Sequence, residues 1–315
     1  MTLGPLRVVK VPEYHVGASH SALRAFAFAA FIFFSVAIGW GPLSRTFSLA
    51  IQRDEYTYII LILPISLTFV VAEWKSVQLL PRRRAINALP AFFAAAAFVA
   101  LTWTHHPWLT SDVRLSIQML ALITYWVGSF VLFWGTAVFR KLLVPLLFLY
   151  GMVPVPEIVL NTSIEGLQRG SAMVARLLFG VAGIPVAQNG MMLTIPGLTI
   201  EVAKECSSIR SSLLLLITTM LLAQVMLRSP LSKILAIAIA VPLSIAKNGL
   251  RIFTIALLGT RVDAGFLTGR LHRQGGIVFF LISLLLIFLM VRLLEVGEKS
   301  TQRLGLRQGL LKAFF

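Results

Sequence analysis

Residues 275–294 read GGIVFFLISLLLIFLMVRLL, twenty positions whose only charge is Arg292. A hydrocarbon core of about 30 Å takes roughly 20 apolar residues in a helix, so this stretch has the length and composition of a span. Runs of the same kind recur upstream at about 22–42, 56–72, 86–104, 116–138, 141–156, 206–227 and 233–258. The run at 141–156 is the shortest and carries Pro145, Pro154 and Pro156. The expectation is an all-α integral membrane protein with about eight transmembrane helices. Trp40-Gly41-Pro42 follows the first run with no small-x-small exit, so that run reads as a retained anchor.

The whole chain agrees with this. Of its 315 residues 58% are hydrophobic and 13% charged, and the mean hydropathy is +0.88. Soluble domains carry about 25% charged residues. A soluble enzyme and a disordered chain are both excluded. A single cysteine excludes an intrachain disulfide framework and a thiolate metal cluster. The net charge of +16 must be sorted by membrane side before it means anything. With eight spans and an inside N-terminus, 16 of the 28 bases fall inside, 9 outside and 3 within spans. Both termini are therefore expected in the cytoplasm, and nucleic acid is dropped as a partner.

Between the fifth and sixth runs the pattern changes. Residues 163–181 set Ile164, Leu167, Val174, Leu178 and Val181 near one helical face, with Glu165, Gln168, Arg169 and Arg176 interrupting. An amphipathic helix lying in the interface is expected there. Gln188-Asn189-Gly190 and Pro196-Gly197 signal turns, and Met191–Ile195 and Leu198–Val202 read as a short β-hairpin at the outer face.

Polar residues inside apolar runs carry the functional signal, because an ionisable group at mid-membrane needs a partner, water or a task. Three stretches stand out. Glu205-Cys206-Ser207-Ser208-Ile209-Arg210 opens the sixth run. Cys206 and Arg210 are four apart and share a helix face, and a helix start favours a thiolate. Cysteine is equally a small apolar packing residue. Lys247-Asn248-Gly249-Leu250-Arg251 lies in the outer half of the seventh run, where both bases could pair with Glu201, Glu205 or carbonyls simply to join helices. His272 precedes the eighth run, in Gly269-Arg270-Leu271-His272-Arg273. Histidine titrates near neutrality and suits acid–base work, although a loop histidine is commonly just solvated. The expected topology brings Cys206, Arg251 and His272 to the outer edge of three consecutive spans, where a nucleophile, an oxyanion stabiliser and a base can converge.

These stretches resemble the motif blocks of the exosortase/archaeosortase family: Cys206-Ser207-Ser208-Ile209-Arg210, Asn248-x-x-Arg251 and His272-x-x-Gly275. Pro154-x-Pro156, Leu167-Gln168 and Gly183-Ile184-Pro185-Val186, with the strand pair, resemble that family's core. The family often has Ala-Cys-Ser-Gly-Ile-Arg, where this chain has Glu205 and Ser208. The resemblance covers about 145–294 in detail and implies one multi-spanning unit over 1–315, with N-terminal spans at 22–138, a catalytic core at 141–294 and a cytoplasmic tail at 295–315. It also implies a cysteine peptidase or transpeptidase of a bacterial or archaeal cell membrane. Its partners would be exported proteins ending in a Pro-Glu-Pro-type motif, a span and a basic tail, with water, a lipid or a glycan as acceptor. Cys206, Arg251 and His272 would be catalytic, with Arg210, Asn248, Lys247 and Glu205 beside them and no cofactor. The competing readings are a transporter or channel using Arg210, Lys247 and Arg251, and a membrane acyltransferase.

Overall fold

The computed structural model describes residues 18–77, 85–104, 106–202, 209–263, 265–268 and 276–313. These form two compact units, one up to Gln52 together with Ile59–Pro154, the other Arg53–Tyr58 together with the chain from Val155 onward.

Among the described residues, the first unit is built of helices and turns. Helix α1 (Ala18–Ile38) turns by 75° into α2 (Trp40–Gln52) at Gly39. It continues with α3 (Ile59–Val77), α4 (Leu89–Thr102), α5 (Ser111–Lys141) and the short α6 (Leu143–Phe148). Helix α5 is the centre, with α1, α2, α4 and α6 packed on it. Gly128 lets α4 approach, since a Cβ there would lie 2.9 Å from the Ala91 side chain. Phe28 meets Trp134 edge-on at 4.5 Å between ring centres, and Trp126 Nε1 donates to Ser35 Oγ at 2.8 Å. Gly135, at φ 83°, breaks the regular course of α5 in a conformation that suits glycine.

The second unit holds α7 (Glu157–Val181), strands β1 (Ala187–Asn189), β2 (Met192–Ile195) and β3 (Leu198–Glu201), then α8 (Ile209–Met226), α9 (Pro230–Arg261), α10 (Gly265–Thr268) and α11 (Gly276–Ala313). The sheet is antiparallel in the order β1-β2-β3, so it has one strand more than the expected hairpin. Gly190 and Gly197 take positive φ at its two turns, as tight hairpin turns require. One core cluster packs the buried Leu193 and Ile195 of β2 on Ala172, Ala175 and Phe179 of α7 and Ile252 and Ala256 of α9. A second joins α8, α9 and α11 through Leu215, Ala223, Ala236, Ala240, Ile287 and Val291. At the turn between α8 and α9, the backbone N–H groups of Arg228 and Ser229 donate to the Glu298 carboxylate of α11, at 2.9 and 3.0 Å.

Among the described residues, five helical segments are long and apolar enough to span a membrane: Asp54–Val77, Ser111–Lys141, Ile209–Met226, Pro230–Arg261 and Gly276–Ser300. Counting each of two bent pairs as one span raises this to seven among the described residues, one short of the expected eight. The run at 86–104 makes a 3-10 turn and the 14-residue α4, too short to pass the same test. The proline-rich run at 141–156 makes only the six-residue α6 and a 3-10 turn. The expected helix at 163–181 is present and longer, but its buried stripe is Leu160, Ile164, Gln168, Ser171, Ala172, Ala175 and Phe179. Val181, expected on the apolar face, is 89% exposed. Small residues line the buried stripe because α9 comes very close. A Cβ on Gly249 would lie 2.6 Å from the Val174 side chain, and one on Gly170 would lie 3.0 Å from Ile245.

Candidate functional site

Helix α9 carries Ser244, Lys247, Asn248 and Arg251 at steps of three, one and three, which puts them along one side of the helix. Pro230 sits in the first turn, where its missing N–H costs nothing, and Ser229 before it is extended. Polar side chains on an apolar helix need partners, and the neighbouring helices supply them to Ser244, Lys247 and Asn248. Lys247 is 6% exposed and donates from Nζ to Ser211 Oγ of α8 at 2.5 Å. Ser244 donates to Ser212 Oγ at 2.5 Å. Asn248 is 1% exposed and donates from Nδ2 to Ser171 Oγ of α7 at 3.0 Å. Its Oδ1 is buried and accepts no hydrogen bond from the described residues. Gln168, one turn before Ser171, donates to the Val202 carbonyl at 2.6 Å, tying α7 to the chain just after β3.

Arg251 is half-buried, one turn beyond Lys247. Its Nη1 would stand 3.7 Å from a Cβ on Gly276, the first residue of α11. The starts of α8 and α11 therefore meet the same stretch of α9, Ser211 at Lys247 and Gly276 at Arg251. Glu298 marks the opposite end of this three-helix group.

The first turn of α8 also reaches the turn 53–58. Arg210 Nη1 pairs with Asp54 Oδ1 at 3.0 Å. Arg53 pairs with Glu157 at the start of α7, and Tyr56 Oη donates to the Val155 carbonyl at 2.8 Å. The hydrogen bond and charge of Glu157 push the Arg53 pKa above its already high ordinary value.

Of the site residues expected from sequence, Arg251, Lys247, Asn248 and Arg210 gather around the junction of α8, α9 and α11. Cys206, Glu205 and His272 lie outside the described residues. The described residues on either side of them, Val202 and Ile209 for the first stretch and Thr268 and Gly276 for the second, bound where they attach. Lys247 bonds a serine hydroxyl, and Arg210 takes its carboxylate from Asp54. Sequence reasoning did not single out Asp54 or Ser171. Asp54 was visible as one of only twelve acids, beside Arg53 and just before an apolar run. Ser171 gave no signal, since a serine on a helix face is unremarkable until its partner is known.

Fold and site together describe a helical membrane protein with a polar seam between helices and an arginine where two helices start. The family model of transmembrane exosortases matches residues 50–289, well over half the chain, and the protein belongs to that family. Searches of curated proteins and of solved structures found no match.

Proposed function

We propose that the protein is a membrane-embedded cysteine peptidase or transpeptidase that cleaves C-terminal sorting signals of exported proteins. Cys206, as thiolate, attacks the scissile carbonyl, and the carbonyl π electrons move onto oxygen. Arg251 donates two guanidinium N–H groups to that oxyanion. Collapse of the intermediate breaks the C–N bond, His272 protonates the departing amine, and a thioester on Cys206 remains. Water, or an amine or hydroxyl acceptor, then attacks the thioester while His272 takes its proton, and the C–S bond breaks to return the Cys206 thiolate. Asn248 and Lys247 hold α9 against α7 and α8 and so keep Arg251 in register. Arg210 and Glu205 flank the nucleophile in sequence.

One observation carries the reading. Arg251 lies against the start of α11, while one turn away Lys247 bonds the first turn of α8. The stretches holding His272 and Cys206 each lead directly into those helix starts. The proposal includes an active site facing the outside of the cell, with both termini in the cytoplasm, from the distribution of bases when α4 crosses as an eighth span. The test is cleavage of a tagged substrate ending in a short motif, a span and a basic tail, by purified full-length protein. Cys206→Ala and His272→Ala should each abolish product, and Cys206→Ala should form no thioester adduct. Normal turnover by Cys206→Ala would end the peptidase reading.

A further inference from the structure

The turn Arg53–Tyr58 is far from the rest of its unit in sequence and makes three connections within it. Asp54 pairs with Arg210 in the first turn of α8, Arg53 pairs with Glu157 in the first turn of α7, and Tyr56 Oη holds the Val155 carbonyl just before α7. Tyr56 is 2% exposed, so the turn is anchored by a buried ring. Asp54 and Arg210 are by contrast 77% and 54% exposed at their side chains. An ion pair that exposed adds little to folding stability. It does fix a direction. Arg210, Ser211 and Ser212 are consecutive and project around the helix to three different partners: Asp54, Lys247 and Ser244. The two serine contacts both lie on the α9 side. The contact with Asp54 restrains this turn from a second element.

We infer that Asp54 is a positioning residue of the site, acting through Arg210 to orient the opening turn of α8, and that Arg53–Tyr58 is the strap that carries it. The inference rests on the peptidase reading, in which the nucleophile Cys206 comes four residues before Arg210. Small displacements of a reacting group cost far more in rate than in stability, on the order of a hundredfold for about 1 Å. The exposed pair can therefore matter to turnover while the fold ignores it.

The experiment uses the purified full-length chain and four variants: Asp54→Asn, Arg210→Gln, the two combined, and the charge swap Asp54→Arg with Arg210→Asp. Three quantities are read: kcat and KM on the tagged substrate, the thermal midpoint, and the alkylation rate of Cys206, the only cysteine in the chain. Each single variant should lower kcat roughly tenfold with KM within about twofold, and the combined variant should be no worse than either single. The swap should recover most of the loss. Alkylation should quicken at least about threefold in each single variant, as the opening turn loosens, and return in the swap. The midpoint should stay within about 2 °C of wild type. Wild-type kcat and alkylation in Asp54→Asn, losses that multiply in the combined variant, or a large fall in midpoint would each overturn the inference. If Cys206→Ala keeps full turnover, the peptidase reading fails separately, and the alkylation rates alone then decide the strap: unchanged rates sink it.

Discussion

Arg251 and Lys247 are one turn apart on α9 and do different work. Arg251 is half-buried against the start of α11, and its planar fork can give two donors to one oxygen. Arg251→Lys keeps the charge and loses the fork. Turnover of the tagged substrate should fall about 100- to 1,000-fold, the usual consequence of losing one oxyanion donor, with the thermal midpoint unchanged. Near-normal turnover beside a dead Cys206→Ala would show that guanidinium geometry is not needed. Lys247 is 6% exposed and its hydrogen bond goes to a hydroxyl. A buried charge with a neutral partner is an expensive way to join two helices, and an apolar side chain of similar length can replace it with little loss. Lys247→Met should therefore hold or raise the thermal midpoint and reduce turnover less than about tenfold. A collapse of turnover to the Arg251→Lys level would make Lys247 part of the chemistry.

Among the elements, the pairing of α7 with α9 sets the site. Gly249 allows it, because a Cβ there would lie 2.6 Å from the Val174 side chain and 3.0 Å from the Ser171 carbonyl oxygen. Val174 is β-branched and stiff, and backbone cannot yield, so Gly249→Ala must push the helices apart. The expected cost is about 1–3 kcal/mol, read as a lower thermal midpoint. Activity should fall with it, since the displaced α9 carries Asn248 and Arg251. Gly180, with nothing within 4 Å of the corresponding position, serves as the control: Gly180→Ala on the same α7 should leave both quantities near wild type. Equal behaviour of the two variants would show that the close approach at Gly249 is relaxed in solution.

For the whole molecule the testable quantity is topology. With α4 crossing as an eighth span, sixteen bases against nine favour a cytoplasmic location for both termini and for the stretch Arg82–Arg84. On a Cys206→Ala background the chain has no other thiol, so Arg83→Cys gives a clean probe. An impermeant thiol reagent added to intact cells should leave position 83 unlabelled, and label it after the membrane is opened. Labelling in intact cells would invert the orientation and move the proposed site to the cytoplasmic side.

Much of this protein could be read from the chain. Apolar runs near 20 residues required membrane helices, because no other local structure satisfies the backbone in hydrocarbon. Gly190 and Gly197 announced the tight turns of the sheet through φ values that other residues avoid. Lys247, Asn248 and Arg251 stood out because polar groups inside apolar runs are costly. The span count was less legible. The run at 86–104 is apolar enough, yet it makes only a 14-residue helix after a 3-10 turn, and hydropathy does not register where a helix begins. Nor could periodicity say which side of α7 faces inward. It marked Ile164, Leu167, Val174, Leu178 and Val181 as one apolar face, whereas the buried side was chosen by the small and polar residues that match α9. Asp54 shows the limit most clearly. It lies 156 residues from Arg210, and their pairing follows from how distant segments pack, which no local pattern encodes. Composition fixes the solvent a segment prefers and short-range pattern fixes its local geometry, whereas the partner of each polar group is decided only when the helices have come together.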